Sequence, residues 1–171
     1  MSFGEAIKSV FSKYATFSGR ARRSEYWYFV LFSFLAGIVA SLIPVINILW
    51  PLAILIPTLA VSVRRLHDTG KSGWSMLLIL LPGLLYAAYI IYFIVAMLIP
   101  NVGSNLDNIT PETIMAMLMD SMTPLLIMGV LELVNFIVLI VWIVWMCKDS
   151  EPGTNKWGPN PKEIEQPEFP N

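Results

Sequence analysis

Two polar stretches hold most of the residues that could do chemistry. The first carries Arg20, Arg22, Arg23 and Glu25; the second carries Arg64, Arg65, His67, Asp68 and Lys71. A guanidinium presents a planar fork of N–H donors that fits phosphate or carboxylate. A set of this kind at one membrane depth suits an anionic ligand or a lipid headgroup. The same residues also have a structural reading. Arg64 and Asp68 can pair at i, i+4 if a helix runs through them. Arg23 and Trp27 stand one turn apart and suit a cation–π contact. Arginines here also hold the orientation of membrane spans. Both readings stay open.

Other candidates are weaker. Gly70-Lys71-Ser72 looks like the end of a phosphate-binding loop, but the required glycine five residues earlier is Arg65, and no strand precedes it. His67 is the only histidine, so a multi-histidine metal site is excluded. Met115, Met117, Met119 and Met122 could hold Cu(I) or simply pack, and no His or Cys stands near them. Glu132 is the only acid inside an expected span, with Asn135 about one turn on. An acid at mid-membrane costs about 2.5–3.5 kcal/mol on insertion scales, so it is protonated or faces a polar partner. It would serve a small oligomeric transporter or channel, or a hydrogen bond between helices or subunits. No Ser/His/Asp or Cys/His set falls at one depth, and Cys147 is the lone cysteine. The sequence therefore points away from an enzyme and implies no cofactor and no metal.

The elements that position these residues follow from composition. The chain is 56% hydrophobic and 13% charged, against about 25% charged in a soluble domain, which points to lipid. No charge occurs between Tyr26 and Val63. One helix of that length would be roughly 57 Å long, against a hydrocarbon core about 30 Å thick, so the run must fold back. Pro44, Asn47 and Pro51 supply the break. Spans are expected near Trp27–Ile46, Ile48–Val63 (short, with Pro57), Trp74–Ile99 (with a kink at Pro82-Gly83) and Leu125–Cys147. Arg64–Gly73 and Asn101–Asp107 read as loops. Thr110-Pro111-Glu112 reads as a helix start, opening a short external helix that stops before Pro124. At the N-terminus, Ser2-Phe3-Gly4-Glu5 fits a capping box. Phe3, Ile7, Val10, Phe11 and Tyr14 then recur at helical spacing. This amphipathic helix either lies on the membrane surface or packs on the cytoplasmic ends of the spans.

The expected fold is thus an all-α membrane protein with four transmembrane helices, an N-terminal amphipathic helix and a short external helix between spans 3 and 4. The divisions are residues 1–19 for the interfacial helix, 20–147 for the transmembrane domain and 148–171 for a polar cytoplasmic tail. All eleven Lys and Arg residues lie before span 1, between spans 2 and 3, or after span 4. Positive residues mark cytoplasmic loops, so both termini are expected in the cytoplasm.

Two stretches carry a resemblance. They are Phe17-Ser18-Gly19-Arg20-Ala21-Arg22-Arg23-Ser24-Glu25-Tyr26-Trp27 and Arg64-Arg65-Leu66-His67-Asp68-Thr69-Gly70-Lys71-Ser72-Gly73-Trp74. Together with Gly153-Thr154-Asn155-Lys156-Trp157-Gly158-Pro159-Asn160-Pro161 they resemble the domain of unknown function 805 family, small bacterial inner-membrane proteins. Trp157 stands where that family more often has tyrosine, and Asn101–Thr123 is longer than its usual connection. The resemblance implies a bacterial inner-membrane location and no established activity. The reading is therefore an inner-membrane protein that binds an anionic lipid, small ligand or partner on its cytoplasmic Arg/His/Asp face. The alternative is a transporter or channel using Glu132. The implied partners are membrane lipids and a second copy or another membrane protein, with no nucleic acid.

Overall fold

The computed structural model describes residues 1–98 and 110–163. Its elements are α1 (Phe3–Ser12), α2 (Arg23–Ser41), α3 (Pro44–Asp68), a 3-10 turn at Gly73–Met76, α4 (Leu77–Leu98) and α5 (Pro111–Cys147). Among the described residues there is no strand, only an isolated bridge between Asn155 and Gly158. Four segments are long and apolar enough to cross a membrane: Arg23–Ser41, Pro44–Asp68, Gly73–Ala96 and Met122–Cys147. The expected loop at 101–107 and the end of the tail beyond 163 lie outside the described residues. The chain forms two compact units. One holds the described residues 1–76 and 143–163; the other is Leu77–Trp142.

In the first unit, α2 and α3 form a hairpin. The chain turns at Leu42 and Ile43, and Pro44, one of the three expected breakers, opens α3, a few residues before the boundary expected between Ile46 and Ile48. Proline suits a first helical position because the missing N–H would be unpaired there anyway. Pro51 and Pro57 lie inside α3, which has 25 residues. The short second span expected at Ile48–Val63 is therefore corrected to the longer helix Pro44–Asp68. Pro57 cannot donate to the carbonyl four residues back, that of Ala53. The Tyr14 hydroxyl donates to the Ala53 carbonyl at 2.5 Å and fills that bond.

Tyr14 follows α1, which has its capping box: the Glu5 carboxylate accepts from the Ser2 amide at 2.7 Å, and the Ser2 hydroxyl accepts from the Glu5 amide at 3.4 Å. Ser2 holds the Glu5 carboxyl below the ordinary carboxylate value, chiefly through its backbone amide. Ala6 and Val10 are fully buried, and Phe11 meets Phe29 and Phe32 edge-on. α1 thus packs on α2, and Phe3, Phe11 and Tyr14 keep exposed surface.

α3 also runs past Val63 to Asp68, so Arg64–Asp68 is its last turn and not part of a loop. It closes in a Schellman motif: the Lys71 amide donates to the Leu66 carbonyl at 2.9 Å and the Gly70 amide to the His67 carbonyl at 3.1 Å. Gly70 takes φ +76°, the left-handed conformation such a motif favours in glycine. Gly73 must also be small, since a Cβ there would stand 2.9 Å from Val63 Cγ1.

In the second unit the expected short external helix and fourth span are one helix, the 37-residue α5, with Pro124 inside it. Pro124 removes a single helical bond, and helices of this apolar character tolerate interior proline. Pro82 lies inside α4 in the same way. Tyr89 donates to the Pro124 carbonyl at 3.1 Å, tying α4 to α5.

Candidate functional site at the helix ends

The end of α3 brings the two polar stretches together. Asp68 is fully buried and gathers three donors: Arg20 Nε at 3.0 Å, the Ser150 hydroxyl at 2.6 Å, and Arg65 Nη1 from one turn back. The predicted Arg64–Asp68 pair is not formed. Arg64 points to α2, where its Nη1 donates to Glu25 at 2.8 Å. The Ser9 hydroxyl of α1 donates to the same Glu25 oxygen at 3.2 Å.

The other groups of Arg65 close the end of α5. A helix leaves its last carbonyls without internal partners and carries partial negative charge there. Arg65 Nε donates to the Met146 carbonyl at 3.1 Å and its Nη2 to the Lys148 carbonyl. Arg23 reaches the Cys147 carbonyl at 3.2 Å and pairs with Asp149 at 2.7 Å. The expected Arg23–Trp27 contact is therefore not made. Lys71 sits over the Trp145 ring, 4.3 Å from its centre.

The segment after α5 folds back over this cluster. The Glu151 amide donates to the Asp68 carbonyl at 2.8 Å. Asn155 Nδ2 donates to the His67 carbonyl at 3.0 Å. Arg20 reaches the carbonyls of Gly153 and Glu151, and Arg22 reaches that of Pro161. Trp157 stacks on His67, with centroids 4.5 Å apart and planes 9° apart. The Gly19 carbonyl lies 3.1 Å from His67 Nδ1 and can only accept, so Nδ1 carries the proton. Outside the cluster, the hydrogen bond from Lys162 and the charge of Arg23 hold the Asp149 carboxyl below the ordinary aspartate value.

Six of the nine predicted face residues are thus buried together: Arg20, Glu25, Arg64, Arg65, His67 and Asp68. Arg22, Arg23 and Lys71 stand at its edge. Most of the positive groups are consumed by internal partners. Arg64 is the exception. It is 1% exposed, yet its Nε and Nη2 have no hydrogen-bond partner. Leaving a buried donor unsatisfied costs about 1–3 kcal/mol, and more for a charged group. Arg64 lies in the wall of a cavity of about 290 Å³, together with Lys13, Thr16, Ser18, Arg20 and Trp157. Sequence reasoning missed Lys13, Thr16 and Trp157 as cavity residues. The only available signal was the aromatic of the Gly/Asn/Pro signature.

A second cavity of about 420 Å³ lies toward the far end of the α2–α3 hairpin, among Ser33, Gly37, Trp50 and Ile54. Its lining carries no charge. In the second unit Glu132 lies close to Tyr86 of α4. Asn135 Nδ2 donates to the Leu131 carbonyl at 2.9 Å, along its own helix. Met115, Met119 and Met122 are exposed. Among the described residues no group of three or more His, Cys, Asp or Glu could hold a metal.

Four helices of membrane-spanning length and a buried ion-pair network at the helix ends define a multi-pass helical membrane protein. The model of one family, described as Protein of unknown function (DUF805), matches residues 14–159, and the chain belongs to that family. It is 34% identical over 165 residues to Inner membrane protein YhaH of Escherichia coli (strain K12), covering 90% of this chain and 93% of that protein. It is 39% identical over 93 residues to Inner membrane protein YhaI of the same strain, covering 50% of this chain and 79% of that protein. No solved structure matches the chain.

Proposed function

We propose that this is a non-enzymatic inner-membrane protein whose helix-end face, on the cytoplasmic side, engages anionic groups at the membrane surface. The observation that supports this most is Arg64, a buried guanidinium with two unpartnered nitrogens that belongs to a residue lining a cavity. The other arginines act as fasteners that hold α2, α3, α5 and the tail segment in place. Anionic lipids are the natural partners, since basic pockets at this depth bind their headgroups. α1, packed on α2, keeps Phe3, Phe11 and Tyr14 exposed and would place them in the interface. Both termini would be cytoplasmic because the Lys and Arg residues fall in alternate connections. Alkaline phosphatase fused after Gly70 is then inactive and fused after Asn105 is active; the reverse pattern removes the cytoplasmic assignment.

Native mass spectrometry of the protein released from nanodiscs tests the binding. Anionic lipid should be retained in preference to zwitterionic lipid, and equal retention of both would refute the proposal. A second reading has one observation behind it: Glu132, an acid within a span, lies close to the Tyr86 hydroxyl-bearing side chain of the neighbouring helix. A transporter or channel built on that pair would show flux in proteoliposomes that Glu132→Gln abolishes. No flux, or flux unchanged in the variant, removes that alternative.

A further inference from the structure

We infer that the cavity beside Arg64 is a binding site for a phosphate group, which the unpartnered Nε/Nη2 edge of Arg64 meets by turning its side chain from its present shielded position and which the ammonium group of Lys13 reaches. This rests on the anion-binding reading above and names its ligand class and its residues. Arg64 commits only Nη1, to Glu25 at 2.8 Å. Nε and Nη2 have no partner. These two nitrogens share one edge of the guanidinium, an edge that donates two parallel N–H bonds to two oxygens of one oxyanion. The other buried arginines offer no such edge. Arg20 spends Nε on Asp68 and Nη1 on the Gly153 carbonyl. Arg65 spends Nε on the Met146 carbonyl and Nη2 on that of Lys148.

The cavity's chemistry points the same way. Its wall has Lys13, Arg20 and Arg64 and no carboxylate. The hydroxyl-bearing Thr16 and Ser18 also line it. The buried cluster carries surplus positive charge, with Arg20, Arg64 and Arg65 against Glu25 and Asp68. A carboxylate has two oxygens, and the Arg64 edge would use both. A phosphate keeps further oxygens for Lys13 and the hydroxyls, so it can satisfy the whole wall at once. About 290 Å³ is at the small end of ligand pockets, which run from about 300 to 1,000 Å³. That size suits a headgroup or a small phosphate ester. Trp157, stacked on His67, closes one side, so the tail segment completes the site.

The phosphate could belong to a lipid headgroup or to a soluble molecule, and the test has an arm for each. In the first, inorganic phosphate is titrated calorimetrically into the full chain in zwitterionic detergent. In the second, native mass spectrometry counts lipid retained from phosphatidylcholine nanodiscs with and without phosphatidic acid. Saturable uptake is expected in at least one arm. It should weaken about tenfold in Arg64→Lys, which keeps the charge and a donor for Glu25 but loses the fork. It should weaken by a smaller factor in Lys13→Ala, a change at an exposed position that does not disturb folding. Uptake in the first arm assigns a soluble phosphate, and uptake only in the second assigns a lipid; either supports the site. Wild-type uptake that Lys13→Ala and Arg64→Lys both leave unchanged overturns the site and leaves the broader anion-binding reading standing. If Arg64→Lys does not fold, unchanged uptake in Lys13→Ala overturns it alone. No wild-type uptake in either arm overturns both.

Discussion

Replacing Asp68 with alanine should release the whole helix-end cluster. Asp68 is fully buried, and both guanidinia it serves are buried with it. Removing one partner of a buried ion pair costs about 3–5 kcal/mol, because the remaining charge is left without compensation. Here two cations lose their shared counter-ion, and the Ser150 hydroxyl loses its acceptor. The loss is tempered. Arg20 keeps the Gly153 and Glu151 carbonyls, and Arg65 keeps those of Met146 and Lys148. The cost should therefore fall near the lower end, about 3 kcal/mol. Asp68→Asn keeps the volume and one acceptor but not the charge, and should cost less, about 2 kcal/mol. Equilibrium unfolding in mixed micelles, followed by tryptophan fluorescence, measures both. Limited proteolysis should also cut residues 149–163 faster in each variant, since the tail segment is held through Asp68 and Arg20. A loss below about 1 kcal/mol for Asp68→Ala, the size of an exposed pair, would refute the argument that this network fastens the helix ends.

Three further outcomes follow from single contacts. Tyr14→Phe should cost about 1 kcal/mol by leaving the Ala53 carbonyl unpaired, and in a Pro57→Ala background, where the helix supplies that bond, most of the cost should vanish; an equal cost in both backgrounds contradicts the pairing. Gly70→Ala should destabilise by about 1–2 kcal/mol in the same unfolding assay, because φ +76° is strained for a residue with a Cβ; an unchanged midpoint contradicts the Schellman geometry. The folded pKa of Asp149 lies below its unfolded value, so its ties to Lys162 and Arg23 are fully present above the ordinary aspartate pKa of 3.8. They are lost as pH falls through the lower folded value. Proteolysis of residues 149–163 should therefore rise as pH falls through that window in wild type and rise less in Asp149→Asn.

Much of the architecture can be read from the chain. Length and hydropathy require the uncharged run from Tyr26 to Val63 to double back, and they mark four apolar segments. Proline misleads at the boundaries. Pro51 and Pro124 read as breakers, yet each lies inside a helix, and at Pro57, also inside α3, a tyrosine distant in sequence repairs the missing bond. No local rule could supply that contact. The site was legible as a set of residues and not as a set of pairs. Arg64 and Asp68 have the spacing of a helical pair, but Asp68 instead receives Arg20 and Arg65, while Arg64 turns to Glu25. Which arginine keeps a free edge depends on four segments meeting in space. The tail segment read as polar chain with little capacity for a core. Its backbone carbonyls are what hold Arg20 and Arg22, and backbone acceptors leave no mark in a sequence.

The role of Arg64 is tested by observing the Nε–H groups of the arginines by NMR in zwitterionic micelles during titration with inorganic phosphate or, in parallel, phosphatidic acid. The chain has five arginines, so the side-chain spectrum is simple to assign by single substitution. Arg64 should shift with saturation in at least one titration, while Arg20 and Arg65, whose Nε–H groups are already bonded to Asp68 and to Met146, stay in place. Movement of all five together, or of Arg22 and Arg23 with Arg64 unmoved, would contradict that role.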